Sequence, residues 1–361
     1  MYIYGIINSN GEEGFGPCGI TAYEEVYSVR DITEAAKDSK ISNRVYTIPY
    51  QDIYAVVSDS QFVDFTTFPK DQVARYLLRH QQVIEKIMDT YTIIPMKLGT
   101  YAFNLREVEE ILSKGYAMFK DIFRKVNNKI EMDVVATWSD LNSIIKEIGR
   151  EQDVKKLKEE SMSKPEGVSA KDQIRIGNLI KNILDNKRER CALEIETGLK
   201  DVSIDFRKHD LMDDRMIFNI AFLIDKNKKT EFERRLDELD AIFNEKLNFR
   251  CVGPLPAYSF YTLEIKKMQF EEIEWARKKL GLNNFTNKEE IKKAYHRLAF
   301  SSHPDRNPDI LDSDKEFNEV NKAYKLLLEY CPSAEQAGPR EEYSLREEEF
   351  AKNAIIVKVR D

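Results

Sequence analysis

Residues 290–308 read EIKKAYHRLAFSSHPDRNP, a helix-patterned run followed by a chemically distinctive loop. Apolar residues recur in the run at the spacing of one helix face: Ile291, Ala294, Tyr295, Leu298 and Ala299. The same spacing returns after the loop at Phe317, Val320, Ala323, Tyr324 and Leu327. Two amphipathic helices joined by a loop predict an antiparallel hairpin with His303, Pro304 and Asp305 at its exposed tip.

Polar residues around the hairpin define its ends and its outer face. Thr286 is predicted to cap the first helix, and Glu289 three residues later completes a capping box. A further helix precedes the hairpin and is predicted to end at Gly281. The face opposite the apolar stripe carries Lys292, Lys293, His296 and Arg297. Such a charged face is usually only solvated, so its charges alone do not identify a binding site.

The composition is that of a well-solvated globular protein with two or three domains. Its 361 residues are 42% hydrophobic and carry a net charge of −7, which argues against broad binding to nucleic acid or to anionic membranes. No run approaches about 18 apolar residues, and residues 1–7 look like a first strand rather than a signal peptide. Four widely spaced cysteines indicate reduced thiols. We therefore expect a cytoplasmic protein with no membrane or nucleic-acid partner.

The order of strand-like and helix-like stretches predicts an α+β protein. We expect two sheet domains of the ferredoxin-like type, a helical connector between them and an all-α domain after them. The predicted boundaries are 1–139 and 201–267 for the sheet domains, 140–200 for the connector, 268–331 for the helical domain and 332–361 for a flexible tail with a β-prone end at 354–359. The connector region can equally be two helices packed on a neighbouring domain.

Within these domains the patterns predict the following elements. Strands are expected at residues 2–8, 53–58, 91–100, 130–138, 201–206, 216–224, 250–252 and 258–265, and helices at 70–89, 104–126 and 228–247. The prolines of Gly253-Pro254-Leu255-Pro256 are expected to stop a ladder and fix a turn between the last two strands.

Other polar features carry weaker signals. His80 lacks a second His or Cys at metal spacing, which favours a structural role over a ligand or a base. Gly14-Phe15-Gly16 lacks the lysine and the helix of a phosphate-binding loop, and Asp213-Asp214 is typical of a solvated turn. No nucleophile and base, and no pair of carboxylates, can be placed together from the sequence. We therefore expect no enzymatic activity, no cofactor and no metal site.

The helical domain resembles a J domain over its whole length. The resemblance rests on Leu280-Gly281-Leu282 and on residues 290–299, 303–308 and 317–324, in order and with suitable spacing. J domains dock on DnaK-type (heat-shock-70) chaperones and stimulate their ATP hydrolysis. The resemblance assigns that contact to His303, Pro304 and Asp305, with Lys292, Lys293 and Arg297 as a basic face that meets an acidic partner. Arg306 stands where a lysine commonly follows the motif, which keeps the charge.

Three earlier segments resemble the gas-vesicle GvpL/GvpF family and together span residues 1–265. They are residues 2–6, residues 79–85 leading to 94–100, and residues 219–225 leading to 253–260. Lys97-Leu98 departs from the Arg-Phe expected there, and the connector region matches poorly. The family implies an accessory protein for gas-vesicle assembly, and some members carry a C-terminal J domain. Such proteins bind the very hydrophobic shell subunit GvpA and other accessory Gvp proteins.

The two resemblances together predict a gas-vesicle assembly factor that recruits a DnaK-type chaperone to GvpA. Two alternatives stay open: a minor structural component of the vesicle shell with a vestigial J domain, and a general J-domain co-chaperone for unrelated clients. Exposed sheet edges or helical faces could hold the subunits, and the sequence does not choose between them.

Overall fold

The computed structural model describes residues 1–8, 25–28, 41–60, 62–165, 167–302, 313–331, 342–350 and 354–360. The glycine-rich stretch at 14–16 and the loop at 303–308 lie outside these ranges. The strands are β1 (Tyr2–Asn8), β2 (Glu25–Ser28), β3 (Ile41–Tyr50), β4 (Ile53–Ser60), β5 (Ile93–Pro95), β6 (Lys129–Trp138), β7 (Asp205–Lys208), β8 (Met216–Asp225), β9 (Leu247–Leu255), β10 (Leu263–Lys267), β11 (Phe285–Thr286), β12 (Tyr343–Ser344) and β13 (Ile355–Val359). The helices are α1 (Lys70–Met88), α2 (Leu105–Val126), α3 (Leu141–Ile148), α4 (Gln152–Met162), α5 (Ala170–Lys200), α6 (Lys229–Phe243), α7 (Tyr258–Tyr261), α8 (Phe270–Leu280), α9 (Lys288–Ser301), α10 (Ser313–Tyr330) and α11 (Glu347–Phe350).

Spatial contacts divide the chain into two compact units. The first joins Met1–His80, Met96–Lys120 and Leu263–Asp361, and the second joins Gln81–Pro95 and Asp121–Thr262. This division differs from the one expected from the sequence, which assigned β6 to a first sheet domain at residues 1–139. In the structure β6 lies between β8 and β9 in the second unit. The physical reason is long-range strand pairing, which local sequence patterns do not contain.

In the first unit, β1 to β4 lie in an antiparallel sheet in the order β2-β3-β4-β1. The strand β1 is buried along almost its whole length because its sequence, YIYGIIN, contains no charged residue. The strands β3 and β4 form a hairpin at Gln51, whose φ of 54° lies in the left-handed region. The ten-residue strand β3 is absent from the sequence-based prediction. The ferredoxin-like type stays a prediction for the two sheet domains.

The second unit contains a four-stranded antiparallel sheet in the order β7-β8-β6-β9. Even-numbered residues of β6, from Ile130 to Trp138, are buried in one hydrophobic core with Phe218, Phe222 and Phe232. This alternation follows the two-residue period of a strand with one buried face. Gly253 in β9 has a φ of 153°, and a Cβ there would lie 2.6 Å from Met132 Sδ. Only glycine therefore lets β9 approach β6 this closely.

The helical region at residues 140–200 consists of α3, α4 and α5. Ile148, Val154, Ile195 and Leu199 belong to the same core as the sheet of the second unit. The alternative in which these helices pack on a neighbouring domain therefore describes them better than a free connector does. Ser169 and Asp172 form a reciprocal capping box at the start of α5.

The strand predicted at residues 258–265 is only partly correct. Residues Tyr258–Tyr261 form the short helix α7, and a strand, β10, begins at Leu263. The backbone N–H and the hydroxyl of Ser259 both donate to the buried carboxyl group of Glu131, each at 2.8 Å. These side-chain contacts offer the backbone an alternative to a ladder. The turn expected at Gly253-Pro254 is also displaced, because β9 continues to Leu255.

The helical domain consists of α8, α9 and α10 and belongs to the first unit. Its core includes Ile273, Ala276, Ile291, Ala294, Val320, Ala323, Leu327 and Cys331, together with Leu345 from beyond α10. The helix α8 ends at Gly281 with a φ of 66°, which confirms the predicted left-handed C-cap. The predicted strand at 354–359 is present as β13, which pairs with β10.

Candidate functional site

Three packed helices position the candidate chaperone-binding face. The rings of Tyr295 on α9 and Tyr324 on α10 stack with their centroids 4.1 Å apart, and the Tyr295 hydroxyl donates to Asn321 Oδ1 at 2.8 Å. The ammonium group of Lys279 on α8 contacts both Glu316 and Glu319 of α10. The hairpin predicted from the sequence is therefore a rigid scaffold, fixed by packing as well as by exposed ion pairs.

The start of α9 corrects one sequence-based assignment. Asn287 is the N-cap, and its side chain accepts a hydrogen bond from the backbone N–H of Glu290 at 2.9 Å. Thr286, which was predicted as the cap, is buried in β11 and donates its hydroxyl to Glu290 Oε2 at 3.1 Å. Both residue types are good caps. The pairing of Thr286 with Tyr343 decides between them, and it involves residues far away in the sequence.

The predicted basic face lies on the outer side of α9. Lys292, Lys293 and Arg297 are exposed, as is His296, whereas Ile291 and Ala294 on the opposite side are buried. Within the part of the chain that the structure describes, Lys292, Lys293 and Arg297 form no ion pair. Exposed cations without an internal partner can meet an acidic surface with little desolvation, and they increase the rate of encounter.

His303, Pro304 and Asp305 lie outside the described residues. Ser301, the last residue of α9, and Ser302 immediately precede them, and the hydroxyl of Ser302 donates to the Leu298 carbonyl at 2.8 Å. The contact role of the three loop residues therefore stays a prediction.

His80 is buried in the first unit and has a structural environment. Its Nε2 lies 2.9 Å from the carbonyl oxygen of Met96, and its Nδ1 lies 2.7 Å from the hydroxyl of Tyr2. Because a carbonyl can only accept, Nε2 carries the proton and Nδ1 accepts from Tyr2. Burial lowers the pKa of His80 to about 4. A neutral imidazole with both nitrogens occupied agrees with the structural role that the sequence favoured.

The first unit also contains a cavity of about 500 Å³. Its walls include Phe62, Leu98, Tyr101, Phe103 and Ile265. The two lysines of its lining are both paired: Lys97 with Glu264, and Lys267 with Glu107, each at 2.5 Å. The cavity is therefore lined by a mixture of apolar side chains and polar groups, and both of its lysines are neutralised by a carboxylate.

Two carboxylates meet on the second unit's sheet, which the sequence did not predict. Glu131 and Asp133 are two residues apart on β6 and therefore share one face of the strand. Burial, and next the charge of Asp133, raise the pKa of Glu131 to about 8. Burial also raises the pKa of Asp133. The alternation of polar and apolar residues in β6 indicates that Glu131 and Asp133 lie on the same face of the strand. The contact of Glu131 with Ser259 depends on tertiary structure and has no such indication in the sequence.

Metal binding and other candidate sites gain no support from the geometry. Among the described residues, no three His, Cys, Asp or Glu side chains are grouped so as to hold a metal ion. Asp213 is exposed and accepts the backbone N–H groups of Arg215 and Met216, as expected of a turn. In the described ranges we also find no helix with the length and apolarity needed for a membrane span.

The fold and this site define an α+β protein with antiparallel sheets and a C-terminal helical domain of the J type. Sequence models of known families identify both parts. The gas vesicle synthesis protein GvpL/GvpF family matches residues 1–262, and the DnaJ domain matches residues 278–330. The chain therefore belongs to the GvpL/GvpF family and carries a DnaJ domain.

Individual relatives agree with this assignment. Gas vesicle protein F from Nostoc sp. is 25% identical over 225 residues, which cover 59% of this chain and 91% of that protein. The chaperone protein DnaJ from Chlorobium phaeobacteroides is 54% identical over 48 residues, which cover 13% of this chain and 12% of that protein. The match to DnaJ therefore concerns one domain.

Solved structures show the same fold for the longer part. The crystal structure of GvpF from Anabaena sp. is similar with a TM-score of 0.58 and 23% identity, covering 72% of this chain and 96% of that chain. GvpF from Microcystis aeruginosa is similar with a TM-score of 0.52 and 19% identity, covering 72% and 97%.

Proposed function

We propose that this protein is a non-enzymatic gas-vesicle assembly factor that acts in the cytoplasm and on nascent gas vesicles. It binds the hydrophobic shell subunit GvpA and other accessory Gvp proteins, and it recruits a DnaK-type chaperone through its J domain. The observation that carries the proposal is the fusion of a GvpL/GvpF chain to a J-type domain whose exposed cations have no partner in the described structure. A subunit that packs into an apolar shell would aggregate if left free, which explains the need for a chaperone.

The proposed chaperone contact divides between the loop and the basic face. His303, Pro304 and Asp305 supply a rigid turn and a carboxylate for charge-assisted hydrogen bonds. Lys292, Lys293 and Arg297 supply a positive surface that attracts an acidic partner. The loop is then responsible for stimulating ATP hydrolysis, and the basic face for the strength and rate of docking.

Stimulation of a DnaK-type ATPase by the full-length protein tests the loop. We expect His303→Gln to abolish stimulation while the melting temperature and GvpA binding stay unchanged. Stimulation equal to that of the wild type would contradict the chaperone part of the proposal. A pull-down that captures no GvpA would contradict the client part. Stoichiometric amounts of the protein on washed vesicles would instead support a shell component.

Charge reversal tests the basic face. We expect Lys292→Glu with Lys293→Glu to weaken chaperone docking by about tenfold or more, with the largest difference at low salt. Lys315→Glu with Lys325→Glu is the matched control, because it makes the same charge change at exposed positions of α10. Equal losses in both variants would show a general charge effect and would count against a defined face.

A further inference from the structure

The C-terminal segment, residues 343–350 and 354–359, lies outside both family matches. The two matches end at residues 262 and 330. The segment nevertheless contacts two different parts of the first unit. Its first stretch contacts the helical domain, and its second stretch contacts β10 and also, through Ile356 and Lys358, the helical domain. We refer to it below as the C-terminal clamp.

The first stretch of the clamp is built into the helical domain. Tyr343 and Ser344 pair with Thr286 and Phe285, and the N–H of Leu345 donates to the Asn284 carbonyl at 2.8 Å. The side chain of Leu345 is only 1% exposed. The ring of Phe350 stacks on Tyr330 and meets Phe270 edge-on, with centroid distances of 5.8 and 5.6 Å. This stretch is therefore part of the domain's core.

The second stretch pairs with β10. The antiparallel register runs from Leu263 opposite Val359 to Lys267 opposite Ile355. β10 is in turn bonded to the N-terminal part of the unit, because the N–H of Lys97 donates to the Leu263 carbonyl at 2.8 Å. The N–H of Met96 donates to Tyr4 of β1, also at 2.8 Å. Backbone hydrogen bonds thus connect β1 to β13 without interruption.

A row of alternating charges follows the same path. Lys97 pairs with Glu264 at 2.5 Å, and Lys358 of β13 lies 3.7 Å from Glu264 and 3.5 Å from Glu329. Glu329, on α10, also pairs with Lys266. Single exposed pairs contribute little, but a network of several charges in fixed geometry contributes more. Lys266 of β10 and Lys358 of β13 both link the paired strands to the helical domain through Glu329.

We propose that this segment is an intramolecular clamp that fixes the J domain to the gas-vesicle-family sheet of the first unit. Without β13, only the short connection from Lys267 to Phe270 and the ion pair of Lys266 with Glu329 would join them, and the J domain could turn about that connection once the ion pair opened. With β13 in place, any rotation must break the β10 ladder and the charge row. Where the proposed function holds, a recruited chaperone would then act at a fixed distance from the client.

A shortened chain that ends at Ala354 tests the clamp, because it removes β13 and leaves Leu345 and Phe350 in the core. Hydrogen exchange of the β10 amides and tryptic cleavage after Lys266 and Lys267 are the readouts, and both work without a chaperone. We expect each rate to rise by about tenfold or more. A chain that ends at Val359 is the matched control, because it keeps β13, and its rates should equal those of the wild type.

Two results would overturn the proposal. Unchanged β10 exchange would show that β13 does not hold the sheet. A parallel rise in exchange across α10 would show that β13 is only a part of the J domain's own fold. Lys358→Glu should give a smaller rise, because it replaces the contacts with Glu264 and Glu329 by repulsion and leaves the pair of Lys266 with Glu329 in place. ATPase stimulation by the chain ending at Ala354 is measured separately, so that failure of the chaperone role and failure of the clamp can be told apart.

Discussion

Each of the two compact units contains a buried ionisable residue whose charge is suppressed by burial, and the two suppressed charges are of opposite sign. In the first unit it lowers the pKa of His80 to about 4. In the second it raises the pKa of Glu131 to about 8. Both groups are therefore neutral near pH 7, for the same reason: an apolar interior disfavours the charged form of either group. The units consequently differ in the pH change that destabilises them.

The signs follow from proton linkage. Between pH 6.5 and 4 the unfolded chain binds a proton at His80 that the folded chain does not, so the first unit loses stability as the pH falls. Between pH 4.5 and 8 the folded chain retains a proton at Glu131 that the unfolded chain has lost. The second unit therefore loses stability as the pH rises. Acid weakens the first unit, and base weakens the second.

The largest effect is expected from Glu131→Gln, which keeps the shape and removes the titration. The wild-type second unit should lose on the order of 4 kcal/mol of unfolding free energy from pH 4.5 to 8, and the variant should lose only the part that comes from Asp133, whose pKa is also raised by burial. Hydrogen exchange of β8 amides in denaturant measures this. Glu160→Gln, at an exposed position of α4, is the control and should behave as the wild type. If the unfolding free energy of Glu131→Gln fell with rising pH as steeply as that of the wild type, the buried carboxyl group of Glu131 would not be the cause of the base sensitivity of the second unit.

The next effect is expected from His80→Gln, whose amide can donate to Met96 and accept from Tyr2. The acid-induced loss in the first unit, on the order of 3 kcal/mol between pH 6.5 and 4, should largely disappear. Exchange of the β1 amides reports on this unit. His296→Gln is a matched control because His296 is exposed on α9. If the unfolding free energy of both variants fell with falling pH as steeply as that of the wild type, another group would have to cause the acid sensitivity of the first unit.

A smaller effect is expected from Gly253→Ala, which disturbs the strand beside Glu131. The added Cβ would meet Met132 Sδ at 2.6 Å and the Glu131 carbonyl at 2.8 Å, at a φ of 153°. We expect a loss of about 2 kcal/mol in the second unit only. Gly177→Ala is the control: it lies in α5 with no atom within 4 Å of the new Cβ, so stability should rise by about 0.5–1 kcal/mol. Denaturant unfolding followed by Trp138 fluorescence, in a Trp275→Phe background, compares the two.

Elements with a strong local period could be predicted from the sequence. The strands β1, β6 and β8 and the helices α1, α2 and α9 lie within a few residues of their predicted bounds. Features that depend on distant partners could not. The unit that contains β6 is decided by its pairing with β8 and β9, and the cap of α9 is decided by the pairing of Thr286 with Tyr343.

The candidate site shows the same limit. The basic face on α9 follows from helical spacing alone, so its residues could be named in advance. The pair Glu131 and Asp133 is visible as alternate residues of one strand, but the hydrogen bonds that Glu131 accepts come from Ser259, 128 residues away. The packing of Leu345 into the helical core likewise has no local signal, because a single leucine in a polar tail resembles any solvated residue.

The burial of Cys331 in the same core as Leu345 has a chemical consequence. Burial raises the pKa of this thiol to about 12, so in the folded protein it is protonated and shielded from alkylating agents. Each transient opening of the helical core exposes the thiol, and the rate of its modification then counts those openings. The native sequence therefore contains a reporter of the opening of the helical core. Mass spectrometry can read the modification of Cys331 without an engineered label in the chain.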